Sequence, residues 1–283
     1  MILTALYVPG DRPERFGKAA ASGADRMIID LEDAVSPAAR PAARVAVVEW
    51  LRSSQAEVRV NAPGTDDLVA DLEALRFVAP PIRLPKVESA ADVDAALAAL
   101  GRPVEVCALI ETAVGVEAAY AIARHPAVTA IGLGEADLRS DLGITADEAL
   151  QWVRTRVVVA ARAAGLPPPM QSVWTQLDDV AGLAASCRAG RAWGFRGRTA
   201  IHPKQIPVIV RAYRPTPAEV AEARAVLAAL DSAAVAVLAN GAMVDGAMRR
   251  AAEEIIALDS RLQDVSPPPG VALTSRSGIW PAG

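Results

Sequence analysis

The sequence predicts an α/β fold: a (β/α)8 TIM barrel over residues 1–213, followed by a helical extension. Short apolar runs recur eight times within the first two thirds of the 283 residues, and Ala-rich stretches separate them. Several runs are continuously apolar, which is typical of strands that are buried on both faces. Ala, Leu, Glu and Arg dominate the stretches between them, and these residues favour helices. Eight strand-then-helix steps predict a parallel sheet that closes on itself.

The predicted elements follow this alternation in chain order. The predicted strands are residues 5–8, 26–29, 58–60, 82–84, 106–110 and 128–131, with two weaker runs at 171–174 and 199–201. The predicted helices are residues 12–22, 37–52, 66–77, 90–100, 114–124 and 146–164. All strands of such a barrel run in one direction, so the side chains that follow them meet at one rim.

The pattern changes after Tyr213. Thr216 is a predicted N-cap, with Pro217 at the first helical position and Glu219 at the third. The remaining expected elements are a helix to about residue 230, an extended run at 235–238, a turn at Asn240-Gly241 and a helix over 248–262. We therefore expect three segments, namely a catalytic barrel (1–213), a helical segment (214–263) and an irregular tail rich in Pro, Gly and Ser (264–283).

Composition excludes several classes of function. With 29 Lys+Arg against 33 Asp+Glu, the net charge is −4, so no general attraction to nucleic acid or to anionic membranes is expected. Aromatic residues make up 4%, too few for base-stacking surfaces. Two cysteines, Cys107 and Cys187, fit a reducing compartment. The N-terminus resembles no secretory signal, and the most apolar stretch, residues 104–123, contains three glutamates. We expect a cytoplasmic protein without a membrane span.

Five charged residues stand at or just beyond the ends of apolar runs. They are Glu32, Arg59, Lys86, Glu111 and Asp137, separated by 25–27 residues, which is about one strand-plus-helix unit. In a barrel this spacing predicts that all five surround one mouth at the carboxyl rim. One such residue would be interpreted as a solvated loop charge, but five in phase with the strands indicate a shared active site.

These residue types suit chemistry at a metal-polarised oxygen. Glu111 and Asp137, without His or Cys beside them, form a hard-oxygen pair suited to Mg²⁺ with several waters left for substrate. The alternative is a structural pair that binds Arg or backbone amides. Arg59 presents a planar fork for a carboxylate or enolate oxygen. Lys86 either adds a second positive charge or is held in an ion pair by Glu32.

A metal beside a cation favours an enolate-forming reaction, in which a carbon–carbon bond is made or broken next to a carbonyl. The acidic run from Asp30 to Asp33 is expected to orient the neighbouring cations. No Gly-x-Ser-x-Gly elbow and no complete Gly-x-Gly-x-x-Gly fingerprint is present, which disfavours a serine nucleophile and a dinucleotide. His125 precedes Pro126 at a helix end and is expected at the surface.

A set of short motifs runs in order from about residue 5 to residue 256. The motifs are Leu6-Tyr7-Val8-Pro9-Gly10, Ile29-Asp30-Leu31-Glu32-Asp33, Val58-Arg59-Val60-Asn61, Leu84-Pro85-Lys86-Val87-Glu88, Ala108-Leu109-Ile110-Glu111-Thr112, Gly134-Glu135-Ala136-Asp137-Leu138, Ala200-Ile201-His202-Pro203-Lys204-Gln205 and Gly241-Ala242-Met243-Val244-Asp245. Together they resemble the citrate lyase β-subunit-like family of the HpcH/HpaI aldolase/citrate lyase superfamily, in its stand-alone CoA-ester lyase type.

The resemblance implies a (β/α)8 barrel, a homotrimer, and Mg²⁺-dependent cleavage of a 3-hydroxyacyl thioester into an acyl thioester and an oxo acid. Relatives act on malyl-, citramalyl- and 3-hydroxy-3-methylglutaryl-CoA, or on citryl groups that a carrier protein holds. By resemblance, Glu111 and Asp137 hold the metal and Arg59 binds a substrate oxygen. Asp245 is the acid/base on a C-terminal lid that a neighbouring subunit delivers.

The resemblance also gives candidate contacts for CoA. Arg12, Arg15 and Lys18 follow a Pro-Gly turn at positions i, i+3 and i+6, where they would hold CoA phosphates. The alternative is an ordinary solvated helix face. His202 opens a motif that resembles the family's loop near the nucleotide.

Two departures from the family pattern leave other functions open. Gln171 stands where the family usually has Asp, and Lys204 where many relatives have Ser. We expect Gln171 to alter substrate orientation or CoA handling while the metal pair stays intact. The alternatives are a citryl-carrier-protein lyase subunit of a complex, a catalytically silent CoA-thioester-binding regulatory protein, and a pyruvate-dependent aldolase on the same barrel. The aldolase would require a catalytic His, which the first four strand ends lack.

Overall fold

Seven parallel strands in the first part of the chain form one curled sheet. The computed structural model describes residues 2–264. The strands are β1 (Thr4–Pro9), β2 (Arg26–Asp30), β3 (Glu57–Arg59), β4 (Ile82–Leu84), β5 (Val106–Ile110), β6 (Val128–Leu133) and β7 (Arg198–Ala200), in the spatial order β6-β5-β4-β3-β2-β1-β7. Every pair of neighbours is parallel, as the continuous apolar runs predicted.

Nine helices accompany this sheet in the described part of the first unit, Met1–Tyr213. They are α1 (Phe16–Ala20), α2 (Arg40–Leu51), α3 (Asp66–Leu75), α4 (Ala90–Leu100), α5 (Ala113–Ala123), α6 (Glu135–Leu142), α7 (Gln151–Ala163), α8 (Val180–Ala192) and α9 (Ile206–Tyr213). Local sequence explains several starts. The Thr65 and Thr112 hydroxyls cap α3 and α5 by accepting backbone N–H groups at 3.1 Å.

The predicted seventh strand, residues 171–174, does not form as a regular strand, whereas the predicted eighth, residues 199–201, is present as β7 (Arg198–Ala200). Only Gln171 pairs with the sheet, through an isolated parallel bridge to Arg198 of β7. Three prolines, Pro167 to Pro169, precede it and have no N–H to donate to a ladder. On the other side, the Ser172 hydroxyl rather than a backbone N–H donates to the Leu133 carbonyl at the end of β6. A curled parallel sheet is therefore present, and strand pairing does not complete a closed barrel.

The second compact unit, Arg214–Gly283, begins as the sequence predicts. Helix α10 (Pro217–Ser232) starts at Thr216, whose backbone N–H donates to Glu219 at 2.7 Å while its hydroxyl accepts the Glu219 N–H at 3.2 Å. An antiparallel hairpin follows, β8 (Val235–Val237) and β9 (Met243–Asp245), and then helix α11 (Gly246–Asp264). The core of this unit joins both helices to the hairpin and contains Ala223, Val226, Leu230, Val244 and Ala252.

Beyond Asp264 the predicted irregular tail lies outside the described residues. In the portion that is described, no helix combines the length and the apolar character that crossing a bilayer requires.

Candidate active site

Arg59, the last residue of β3, is fixed at the carboxyl edge of the sheet by Asp30, the last residue of β2. The Asp30 carboxylate accepts two hydrogen bonds from it, from Nε at 2.7 Å and from Nη2 at 2.6 Å. The same carboxylate accepts the backbone N–H of Glu32 at 3.0 Å, which shapes the loop after β2. Arg59 Nη1 also lies 3.1 Å from Glu32 Oε2, without a directed hydrogen bond, and donates to Asp33 at 3.1 Å. The fork is therefore held in a fixed orientation.

Lys86 reaches across this edge and links three predicted site residues. Its Nζ donates to Glu32 Oε1 at 2.8 Å and lies 3.6 Å from Asp137 Oδ1, while its backbone N–H donates to Glu111 Oε2 at 3.0 Å. Lys86 has φ +50°, a left-handed conformation that few non-glycine residues adopt. Burial lowers the pKa of Lys86, but the bond to Glu32 and the neighbouring carboxylates outweigh it and raise the pKa to about 12. Lys86 is therefore a fixed positive charge.

Glu111 follows β5 directly and is 2% exposed. Burial raises its pKa from 4.5 to about 7, and the carboxylates of Glu32 and Asp137 add to the rise. Lys86 and Arg59 oppose it. The carboxylate lies against Gly134, where an added Cβ would come 2.0 Å from Glu111 Oε1. Only glycine fits there, and no local sequence pattern predicts this contact.

Asp137 lies in the first turn of α6, with a side chain that is 40% exposed. The structure thus places all five charges, Glu32, Arg59, Lys86, Glu111 and Asp137, at one edge of the sheet. Glu111 and Glu32 are crowded by like charge, and burial raises the pKa of Glu32 as well, against the pull of Arg59 and Lys86. Hard oxygens with excess negative charge are what a divalent cation requires.

The number of carboxylates fits Mg²⁺ in particular. Over residues 2–264 no three His, Cys, Asp or Glu side chains are grouped as a ready metal cage. Mg²⁺ is ordinarily bound through one or two carboxylates and keeps several water ligands that substrate can replace. A pair such as Glu111 and Asp137 therefore fits this ion better than it fits a metal that needs an all-protein cage.

The predicted CoA residues follow strands β1 and β7. Arg12, Arg15 and Lys18 are exposed in the segment that follows β1, where the two arginines lie 3.8 Å from Asp11 and Glu14 respectively. His202 follows β7, and its Nδ1 accepts the backbone N–H of Lys204 at 3.1 Å. Strands β1 and β7 are neighbours, so these residues follow adjacent strand ends.

Asp245 belongs to the second unit. It ends β9, and its Oδ1 accepts the backbone N–H of Ala247 at 2.9 Å, at the start of α11. The local contact is that of a helix cap, and it leaves the other carboxylate oxygen available.

Gln171 corrects an expectation from the sequence. Its side chain is buried, donates to the Ser186 carbonyl of α8 at 3.0 Å and accepts the Tyr213 hydroxyl of α9 at 2.7 Å. Gly190 of α8 leaves the space that the amide fills, since a Cβ there would come 2.0 Å from Gln171 Cδ. Gln171 thus joins the sheet to two helices, and its contacts give no support to a role in substrate orientation.

Comparison with known proteins places this geometry in a family. The family model described as HpcH/HpaI aldolase/citrate lyase matches residues 3–203, which include all five clustered charges. The chain belongs to the HpcH/HpaI aldolase/citrate lyase family. The resemblance seen in its motifs is therefore confirmed.

Individual members of the family extend the match beyond residue 203. A citrate lyase subunit beta-like protein of Mycobacterium tuberculosis strain H37Rv is 41% identical over 261 residues, covering 89% of this chain and 93% of the relative. A (3S)-malyl-CoA thioesterase of Cereibacter sphaeroides strain ATCC 17029 is 37% identical, covering 81% and 83%. The crystal structure of the protein CitE from Mycobacterium tuberculosis with magnesium, acetoacetate and coenzyme A has a TM-score of 0.81 at 38% identity, covering 91% of this chain and 98% of that one.

Two residues that neighbour Arg59 in the structure, Tyr7 and Arg83, were not identified from the sequence. The ring of Tyr7 of β1 contacts the guanidinium groups of Arg59 and Arg83. Arg83 of β4 is buried, and its Nε donates to Glu57 Oε1 at 2.6 Å. Burial raises the pKa of Glu57, but Arg83 and Arg26 outweigh it and lower the pKa. The signal was available, because the charged residues Arg26, Glu57 and Arg83 fall within strands β2, β3 and β4.

Proposed function

We propose that the chain is a Mg²⁺-dependent carbon–carbon lyase that cleaves a 3-hydroxyacyl-CoA to acetyl-CoA and an oxo acid through an enolate, or runs the reverse condensation. The observation that carries the proposal is the buried carboxylate Glu111, with a pKa near 7, crowded by Glu32 and Asp137 and placed beside the fixed cations Arg59 and Lys86. The magnesium, acetoacetate and coenzyme A in the related crystal structure support the same class of reaction.

Glu111 and Asp137 would hold the metal. When bound, Mg²⁺ polarises the oxygens of the oxo-acid half of the substrate. Arg59, whose guanidinium Asp30 orients through Nε and Nη2, neutralises negative charge on the developing enolate or keto oxygen. Lys86, held by Glu32, adds a second positive charge next to the metal ligands.

The proton follows a balanced path. In cleavage the 3-hydroxyl loses its proton, the bond between the second and third carbons breaks, and its electron pair forms the acyl-thioester enolate. Asp245 takes the hydroxyl proton and returns a proton to the enolate carbon.

Family resemblance supports the further proposal that the chain is a homotrimer whose segment 214–263 acts as a lid on a neighbouring subunit's closed (β/α)8 barrel. Lid closure would exclude water from the enolate.

Arg12, Arg15, Lys18 and His202 would bind the nucleotide end of CoA. Three exposed basic side chains and a histidine follow neighbouring strand ends, which suits the phosphates of an extended ligand. The proposed location is the cytoplasm. Cys107 and Cys187 are free thiols, which suits a reducing compartment.

The test is turnover followed by mass spectrometry. The protein is incubated with malyl-, citramalyl- and 3-hydroxy-3-methylglutaryl-CoA, each with Mg²⁺ and with EDTA. Release of acetyl-CoA together with glyoxylate, pyruvate or acetoacetate, in Mg²⁺ only, would establish the lyase. The Glu111→Gln variant should release none, and Glu117→Gln, an exposed glutamate on α5, should match the wild type.

The malyl-CoA thioesterase among the relatives provides a second candidate function. Hydrolysis would release free CoA and the intact hydroxy acid, without an oxo acid, so the same spectra separate the two reactions. Absence of both products would contradict the proposal. A citryl-carrier-protein substrate or a silent thioester-binding protein would then be favoured, and binding of each thioester by calorimetry would separate these two.

A further inference from the structure

The ring of Tyr7 lies within reach of two guanidinium groups. Arg59 Cζ is over the ring at 5.0 Å from its centroid, and Arg83 Cζ is over it at 5.7 Å. Tyr7 stands in β1 opposite Ile28 of β2, two residues before Asp30, which pairs with Arg59 of β3 at the edge. The hydroxyl makes no hydrogen bond within the described residues, so the ring is the part of Tyr7 that the fold uses.

The deeper guanidinium is firmly anchored. Arg83 donates to Glu57 at 2.6 Å, and Arg26 donates to the other oxygen of Glu57 at 2.9 Å. All three residues belong to paired central strands, β2, β3 and β4. Burial raises the pKa of Tyr7 to about 12, against the pull of Arg83 and Arg59, so the phenol stays neutral at the pH of the cell.

We propose that Tyr7 is a positioning residue that holds the Arg59 guanidinium in its productive place through the face of its ring. The electron-rich face of an aromatic ring attracts a guanidinium group, and the Tyr7 ring has two of them over it, Arg59 of β3 and Arg83 of β4. Asp30 binds Nε and Nη2 of Arg59, and carboxylate oxygens of Glu32 and Asp33 lie 3.1 Å from Nη1. Without the ring, these carboxylates alone would hold Arg59, and because Glu32 and Asp33 belong to the loop after β2, the guanidinium would shift toward that loop.

This inference rests on the proposed function for its kinetic consequence. Because Arg59 neutralises charge that develops in the transition state, a displaced Arg59 should slow turnover more than it weakens substrate binding. A purely structural tyrosine would change thermal stability without this selective loss of kcat.

The experiment compares Tyr7→Leu and Tyr7→Phe with Tyr120→Leu, which replaces an exposed tyrosine of α5. We expect Tyr7→Leu to lower kcat more than tenfold, with KM changed less than threefold. Tyr7→Phe keeps the ring and should retain at least half of the wild-type kcat, and Tyr120→Leu should be indistinguishable from wild type. Tyr7→Leu within twofold of wild type, or Tyr7→Phe as impaired as Tyr7→Leu, would overturn the proposal.

Crystal structures of the two Tyr7 variants test the same point without turnover. Arg59 should be shifted by more than about 1 Å or disordered in Tyr7→Leu, and unmoved in Tyr7→Phe, while Asp30 stays in place in both. An unmoved Arg59 in Tyr7→Leu refutes the inference even if the chain proves to be no lyase. If Arg59 is displaced in Tyr7→Leu but the wild-type protein shows no lyase activity, only the proposed function is refuted.

Discussion

Replacement of Glu111 by glutamine should make the metal-free protein more stable at neutral pH while it abolishes metal binding. Glu111 has a folded-state pKa of about 7 against an ordinary 4.5, because burial and the neighbouring carboxylates penalise its charged form. Each unit of difference between the folded and unfolded pKa is worth about 1.36 kcal/mol, so ionising Glu111 costs the folded protein about 3 kcal/mol. Glutamine has nearly the same shape and no charge, so it avoids this cost.

The sign follows from proton binding. Between pH 4.5 and about 7 the unfolded chain has released the Glu111 proton and the folded chain has kept it, so the free energy of unfolding falls as pH rises through this window. This contribution is present in full below pH 4.5, and above pH 7 its loss is complete. Urea denaturation of the wild type and Glu111→Gln in EDTA, at intervals from pH 5 to 8, would measure it.

We expect the variant to gain about 2–3 kcal/mol over the wild type by pH 8 and almost nothing at pH 5. Glu117→Gln should follow the wild type throughout, because Glu117 is exposed on α5. On addition of Mg²⁺ at a hundred times its dissociation constant, the wild type should gain about 2.7 kcal/mol and Glu111→Gln nothing. If the free energy of unfolding had the same pH dependence in wild type and variant, the surroundings of Glu111 would not raise its pKa.

Three further changes test other parts of the site. Asp245→Ala should lose most turnover yet bind Mg²⁺ with wild-type affinity by calorimetry, and normal turnover would contradict its assignment as the acid/base. Gly134→Ala should weaken Mg²⁺ binding at least tenfold by pushing a Cβ against Glu111, whereas Gly17→Ala, with no atom within 4 Å of its added Cβ, should leave it unchanged. Gln171→Leu should lower the free energy of unfolding by about 2 kcal/mol, since the buried Tyr213 hydroxyl and the part-buried Ser186 carbonyl each lose a hydrogen bond, while kcat changes less than twofold.

The parallel sheet and the edge where the charges meet could be predicted from the sequence because both follow from one period. Residues such as Glu32, Arg59 and Glu111 recur at the interval at which strands recur, and a parallel sheet brings every strand end to the same side. The start of α10 was equally accessible, since Thr216 and Glu219 satisfy each other's backbone N–H groups within four residues. Signals of this kind can be read from the sequence because they depend on neighbouring residues or on a regular spacing, and not on contacts between distant segments.

The parts that could not be predicted depend on contacts between distant segments. Helix α8 contains Gly182 and Gly190, which lower helix propensity, and Gly190 is required only because Gln171 occupies the space of its missing side chain. The family position of Gln171 suggested a substrate contact, but the side chain points to α8 and α9. Similarly, nothing in the sequence shows that Lys86 adopts a positive φ, which lets its backbone and its ammonium group serve different carboxylates.

The pairing of charges at the site explains why its unbalanced carboxylates are Glu111 and Asp137. Arg59 is tied to Asp30 by two short bonds, and Lys86 is tied to Glu32, so neither cation is free to neutralise Glu111 fully. Glu111 accepts its hydrogen bond from a backbone N–H, and Asp137 lies 3.6 Å from an ammonium group already engaged elsewhere. Opposite charges a few ångström apart interact by several kcal/mol in such partly buried surroundings. The fold forgoes part of this stabilisation, because Arg59 and Lys86 are paired with Asp30 and Glu32 and not with Glu111 and Asp137. Under the proposed function, that separation would leave the Glu111 and Asp137 carboxylates to a divalent cation.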